Sequence, residues 1–407
     1  MSRAETGDDV GVNAYCLLHG STAALEVEVV VVRIAMIGTR GVPARYGGFE
    51  TCVEEVGSRL ADRGHDVVVY CRRASADDDG DRLAQFRGMR LVHLPAMRQR
   101  TLETLSHTGA SVAHLVRHAT DVAFVFNAAN APYLPVLRAR GIPVATHVDG
   151  LEWKRAKWGP TGQRYYRQAE ALAVRFSDGL IADAVGIQDY YTERFGVNTT
   201  LITYGAPRVG GGGDPTRLAE VGLEPGGYHL VVARFEPENH VDVVVEGYAA
   251  SAATKPLVVV GSAPYSDAYT ARVRSLADDR VRFLGGVWDQ DLLDQLYAGA
   301  HTYLHGHSVG GTNPSLLRAI GASAAVDAFD VSFNREVLAE TGRYWTTPAD
   351  VRALVESSER DAEGTVLRGK AAGVRAELYD WDLVTDGYED LAQRLAATRK
   401  GARRSQI

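Results

Sequence analysis

The sequence predicts an α/β protein of two facing, doubly wound domains, each carrying a parallel sheet, with a cleft between them. Three observations predict it. Short apolar runs alternate with helical periodicity twice, first over residues 33–204 and again over 217–380. Tyr204–Thr216, with five glycines and two prolines, separates the two runs and reads as a linker. The 407 residues also exceed the roughly 250–300 that one hydrophobic core organises.

The first strand is Arg33–Ile37, and a glycine-rich loop, Gly38–Gly48, follows it. Val53, Val56 and Leu60 then recur at helical spacing, and Val67–Tyr70 is the next strand. Strand, loop, helix and strand in this order imply a right-handed crossover in a parallel sheet. Further strands are expected at Arg90–Leu94, Val122–Phe126, Pro143–His147, Gly179–Ala182 and Thr199–Thr203. The second domain should supply His229–Ala233, Leu257–Val260, Val281–Leu284, His301–His305 and Ala324–Ala328. A final helix is expected over Trp381–Thr398, followed by a polar tail.

Apolar residues make up 45% and charged residues 23%, an ordinary balance for a globular protein. The net charge of −7 argues against nucleic acid as partner. Residues 33–205 nevertheless carry 22 Lys/Arg against 18 Asp/Glu, so an acidic ligand or an anionic membrane surface suits the first domain better. Three cysteines, Cys16, Cys52 and Cys71, form neither a disulfide framework nor a metal-ligand pattern, which points to a reducing cytoplasm. No metal and no cofactor are expected. Ala23–Met36 is apolar but broken by Glu26, Glu28 and Arg33, so it is neither a membrane span nor a signal peptide. Residues 1–32 look unlike the rest, as an extension or a misplaced start with Val31 or Val32 first.

Four segments carry candidate chemistry. In His305–Ala319, Gly310 and Gly311 leave backbone N–H groups open, Thr312 or Asn313 suits the cap, and Pro314 suits the first helical position. Such a helix start binds anions, and His305 and His307 flank it. The competing reading is a capped helix that binds nothing. In Val231–Asn239, Arg234 stands just beyond a strand, where its planar fork matches a diphosphate. A surface salt bridge with Glu236 or Glu238 is the alternative. The loop before the first helix offers Gly47, Gly48 and Glu50 to a donor phosphate or an acceptor sugar. It lacks the G-x-G-x-x-G spacing of a dinucleotide site. In Thr146–Trp158, His147 and Asp149 follow a strand end and should face the cleft, while Trp153 and Lys154 suit a sugar or an anionic membrane interface. An amphipathic surface helix is the rival reading. Asp77, Asp78 and Asp79 read as a solvated turn.

The stretches IGTRGVPARYGGFET, VDGLEWKRAKW, VARFEPEN, RFLGGVWDQDLLDQLY, YLHGHSVGGTNPSLLRA and AFDVSFNREV together resemble glycosyltransferase family 4, in its rhamnosyltransferase-like subgroup. The resemblance runs from about Arg33 to Leu395. It implies a GT-B fold of two Rossmann-like domains and a retaining, metal-independent sugar transfer. The donor would be a nucleotide-diphosphate sugar, often dTDP-rhamnose, and the acceptor a lipid-diphosphate-linked or other glycan of a surface polysaccharide. Arg234 matches the arginine placed on the donor diphosphate. The usual lysine falls at Asn239, so His305 and His307 would share that task. Two family glutamates that touch donor sugar and ribose fall here at Gly310 and Arg318. Glu336 matches a glutamate near the donor. The resemblance also has the last helix cross back to the first domain. The expected catalytic set is Arg234, Asp149 and His147. Donor binding falls to Arg234, Asn239, His305, His307, Gly310, Gly311, Thr312, Asn313, Arg318 and Glu336. Acceptor binding falls to Gly47, Gly48, Glu50, Asp149, Trp153 and Lys154. The expected place is the cytoplasm, at the inner face of the membrane. Two other readings stay open: a GT-B nucleotide-sugar epimerase, and a catalytically inactive nucleotide-sugar-binding protein, the latter suggested by Gly310 and Arg318.

Overall fold

Arg33–Ile37 forms β1, and every residue after Arg33 in it is buried, as expected of a strand covered by helices on both faces. The computed structural model describes residues 30–44, 47–73, 83–97, 102–148, 150–155, 158–209, 214, 216–261 and 267–404. Residues 1–29, Asp77–Asp79, Asp149, and residues 210–213 and 215 of the expected linker lie outside the described residues.

In the first lobe β2 (Asp66–Arg72), β3 (Gln85–Phe86), β4 (Met89–Leu94), β5 (Val122–Phe126), β6 (Val144–His147), β7 (Gly179–Ala182) and β8 (Thr200–Leu201) join β1. Their order is β3-β4-β2-β1-β5-β6-β7-β8. Only the β3–β4 pair is antiparallel. The second lobe holds β9 (His229–Val232), β10 (Leu257–Val260), β11 (Val281–Gly285), β12 (Thr302–His305), β13 (Val326–Phe329) and β14 (Arg343–Trp345). They are all parallel, in the order β11-β10-β9-β12-β13-β14. Both lobes belong to one compact unit, Val31–Ile407.

The order in which strands are added reverses between β1 and β5 in the first lobe and between β9 and β12 in the second. Open parallel sheets bind ligands beyond the carboxyl ends of their strands at such points. The helix Gly48–Asp62 covers the first sheet with Cys52, Val53, Val56 and Leu60, all at most 1% exposed. Each such side chain contributes about 1.5–3 kcal/mol.

The last helix, Trp381–Arg404, returns to the first lobe and lies along Gly48–Asp62. Arg63 bonds Glu389 and Asp386, and His65 bonds Glu389 through Nε2.

Three details differ from the expectation. Two short strands, β3 and β14, carry too few residues for a periodicity to show. The strand expected from Ala324 begins at Val326, because the Ala324 N–H still closes the preceding helix on the Ala319 carbonyl. The start of the linker is not a loose tether. Tyr204 and Ala206 are buried, the Ala206 N–H donates to the Tyr379 carbonyl at 2.6 Å, and Gly205 lies against the Trp381 ring. A Cβ on Gly205 would sit 2.3 Å from that ring, so only glycine fits there. Among the described residues, no helix is long and apolar enough to cross a membrane.

Candidate functional site

The crevice of the second sheet opens between the loops after β9 and β12, and these loops carry Arg234 and His307. Arg234 is 39% exposed, and its ion pair with Glu236 is long at 3.6 Å, so the guanidinium keeps donors for a ligand. The expected salt-bridge alternative is therefore present but weak. Asn239 does not face the crevice. It is buried, and its amide donates to the Arg234 carbonyl at 2.8 Å, which braces the arginine's backbone.

His305 and His307 stack, with ring centroids 4.6 Å apart. Burial pushes the His305 imidazolium pKa down to about 3. Burial, then the charges of His305, Arg234, Arg155 and His240, hold His307 well below its ordinary value. Both rings are thus neutral near pH 7 and cannot replace the missing lysine's charge, contrary to the expectation. His305 Nδ1 meets the Tyr303 hydroxyl at 3.1 Å. His305 Nε2 and His307 Nδ1 are buried with no hydrogen-bond partner among the described residues, an arrangement that calls for a ligand or water.

The helix Pro314–Gly321 starts as expected, with Asn313 as cap, its Oδ1 accepting from Ser315 N–H at 2.9 Å. Its turn lies on the seam between the lobes. A Cβ on Gly150 would come within 2.6 Å of the Gly310 Cα, and one on Gly48 within 3.0 Å of Pro314. The Thr312 hydroxyl donates to the Asp183 carbonyl. Asp183 follows β7 in the first lobe, is 1% exposed, and presses its carboxylate on Gly311. Burial raises its pKa to about 7, its own backbone N–H partly offsets this, nearby Glu336 raises it further, and the Thr312 amide lowers it a little.

Glu336 crosses the same seam the other way. Its carboxylate accepts the Val185 N–H at 2.9 and 3.0 Å, at the start of the first-lobe helix Val185–Phe195. In this arrangement it caps that helix instead of facing a donor. On the second lobe's side Glu238 meets Arg155 of the first at 3.7 Å.

Other expected residues take different places. His147 ends β6 but is 2% exposed, enclosed by Phe49, Phe126 and Tyr204, and held neutral by burial with a pKa of about 3. It does not face open cleft. Glu50 is occupied: its carboxylate accepts the Arg40 N–H at 3.0 Å and ties the glycine loop to the helix. Glu54 does the same for Ala44 at 2.6 Å. The Trp153 ring is covered by the Arg167 guanidinium 4.3 Å away, so that face is closed to a sugar, while Lys154 is exposed. Arg318 binds Asp294 at 2.8 Å and Gln290 at 2.9 Å. It also lines, with Gly48, Thr51, Tyr204, Pro314 and Trp381, a groove of about 540 Å³ between the lobes.

Sequence reasoning missed Asp183, and it placed Arg155 only beside Trp153 and Lys154, not opposite Glu238. The rule that selected His147, a polar residue at the end of a strand, selects Asp183 equally. Arg155 stood in a segment already singled out.

The first lobe matches the family model described as a Glycosyl transferase 4-like domain over residues 47–205. The second matches Glycosyl transferases group 1 over residues 227–360. Among solved structures, a sucrose-phosphate synthase from Thermosynechococcus elongatus superposes with a TM-score of 0.76 at 20% identity, covering 90% of this chain and 99% of that one. Anabaena HepE in complex with UDP-glucose gives 0.70 at 16% identity, covering 91% and 100%. WaaG, a glycosyltransferase involved in lipopolysaccharide biosynthesis, gives 0.66 at 16% identity, covering 88% and 99%. At these identities the likeness is one of fold. No curated protein matches by sequence.

Proposed function

Because the chain belongs to the GT-B glycosyltransferases that join a glycosyl transferase 4-like domain to a group 1 domain, we propose that it moves rhamnose or another hexose from a nucleotide-diphosphate donor to a lipid-linked or glycan acceptor. The transfer retains configuration, needs no metal, and serves surface polysaccharide synthesis at the inner face of the membrane. Structural neighbours support the donor class: HepE binds UDP and UDP-glucose, and WaaG acts in lipopolysaccharide biosynthesis.

One observation carries the reading. The start of Pro314–Gly321 meets the first lobe at the seam, and Arg234 and His307 stand on the two switch-point loops of the same sheet. A diphosphate there would meet the arginine's fork and backbone N–H groups together. Such preorganised donors stabilise the charge that develops on a leaving phosphate. The bond from the sugar's anomeric carbon to the phosphate oxygen breaks, and one to the acceptor oxygen forms. The acceptor's proton passes to the departing phosphate oxygen, so no side-chain base is required. Closure of the lobes keeps water from the donor.

The test is a thermal-shift panel of nucleotide sugars followed by product analysis. A true donor at about 100 times its dissociation constant adds roughly 2.7 kcal/mol of stability. Transfer to an acceptor, with no new sugar formed from donor alone, is the expected result. Conversion of donor alone would make the protein an epimerase, and binding without transfer to any acceptor would make it a nucleotide-sugar receptor.

A further inference from the structure

The two lobes exchange carboxylates. Asp183 of the first lobe lies on the opening turn of the second lobe's helix Pro314–Gly321, and Glu336 of the second lobe caps the first lobe's helix Val185–Phe195. Both helix starts carry partial positive charge, so each carboxylate sits where an anion belongs. The two contacts are unlike in one respect. Glu336 is bonded to Val185 through both oxygens, whereas Asp183 Oδ1 is buried without any hydrogen-bond partner among the described residues. A buried carboxylate oxygen without a partner is a costly arrangement that a better-matched anion can relieve.

We propose that the Asp183 carboxylate is an internal stand-in for the donor's phosphate, which must displace it from Gly311 and Thr312 on binding. This rests on the reading that the donor diphosphate binds at the start of Pro314–Gly321. Glu336 then acts as the fixed half of the seam and Asp183 as the half that yields. The exchange needs no new bond. The Asp183 side chain turns away from Gly311, and the phosphate takes the Thr312 amide it leaves.

The groups that face Asp183 are Glu336 from the helix Ser332–Leu338, Cys52 from Gly48–Asp62 and Tyr388 from Trp381–Arg404. The Cys52 thiol is pushed up to about 12 and the Tyr388 phenol well above its usual value, so neither changes charge near neutrality. Asp183 does, because burial brings it to about 7. The competition is therefore stronger at pH 8 than at pH 6.

Calorimetry with inorganic pyrophosphate on the full-length protein tests this, comparing the wild type with D183N and D183S at both pH values. Pyrophosphate's own ionisation affects all three proteins alike, so the ratio isolates Asp183. Repeating the comparison in an E336Q background removes the second carboxylate. The expected result is binding at least 10-fold tighter in D183N than in the wild type at pH 8, with the gap narrowing at pH 6. D183S should behave likewise, which guards against a folding defect particular to one variant. Equal binding in all three proteins overturns the proposal and leaves the donor site standing. Weaker binding in both variants also overturns it, by making Asp183 a helper. No binding to any of the three removes the anion site, and the donor reading falls with it.

Discussion

Gly150 and Gly310 meet backbone to backbone across the seam, so that a single methyl group on Gly150 would lie 2.6 Å from the Gly310 Cα. Both residues have positive φ, 30° and 134°, which a residue with a Cβ rarely adopts. Gly150→Ala should therefore hold the lobes apart while each lobe stays folded. Turnover should fall at least 10-fold, and small-angle scattering should report a larger radius of gyration. Unchanged scattering and unchanged turnover together would show that this approach is not needed.

Arg234→Ala removes the guanidinium from the crevice and leaves the Asn239 bond to its backbone carbonyl in place. Transition-state stabilisation should drop by about 2–4 kcal/mol, or about 30- to 1000-fold in turnover, with the melting temperature preserved. Near-normal turnover in a purified, folded variant would take Arg234 out of the mechanism.

The pH dependence of stability has two opposed parts. His147 and His305 have folded pKa values lowered to about 3, and His107 to about 4, against an unfolded value of 6.5. For a histidine buried neutral, the unfolded chain binds the proton first. Its stability is complete above pH 6.5 and is lost as the pH falls toward the folded values. Each should cost roughly 1–3 kcal/mol by pH 4.5. Asp183 has a folded pKa raised to about 7 from 3.8, so it costs stability as the pH rises from 4 to 7, up to about 4 kcal/mol. Below pH 6.5 the histidines outnumber it and stability should fall. Urea unfolding at pH 4.5, 6.5 and 8 checks the first part. D183N, more stable than the wild type at pH 8 by about 1 kcal/mol or more, checks the second.

On the proposed function the leaving charge is met by Arg234 and backbone amides, so a chelator should leave transfer unchanged. Loss of activity on EDTA, restored by magnesium or manganese, would require a metal in the donor complex.

Much of the fold was legible because the strands are short apolar runs bounded by turn residues. Arg33–Ile37, Val122–Phe126, Gly179–Ala182 and Leu257–Val260 lie where the pattern predicts. The position of the Pro314–Gly321 helix start was legible for the same reason: glycines, cap and proline act locally. What lay hidden depends on the other lobe. Nothing near Asp183 in sequence says that it will press on Gly311, 128 residues away, or that Glu336 will cap Val185–Phe195. The neutrality of His305 and His307 is not legible in the sequence, because the burial that lowers both pKa values is a tertiary property. Glu50 and Asn239, expected on ligands, instead satisfy backbone groups: the Arg40 N–H of the preceding loop and the Arg234 carbonyl.

The chain passes between the lobes twice, at Tyr204–Pro207 and again at Tyr379–Trp381, and the Ala206 to Tyr379 hydrogen bond pins the two passages side by side. A single tether permits bending in any direction and twisting as well. Two tethers fastened together behave like the paired leaves of a door hinge and favour rotation about one axis. Each opening and closing should then follow the same arc, returning Val185 to Glu336 without a search for register.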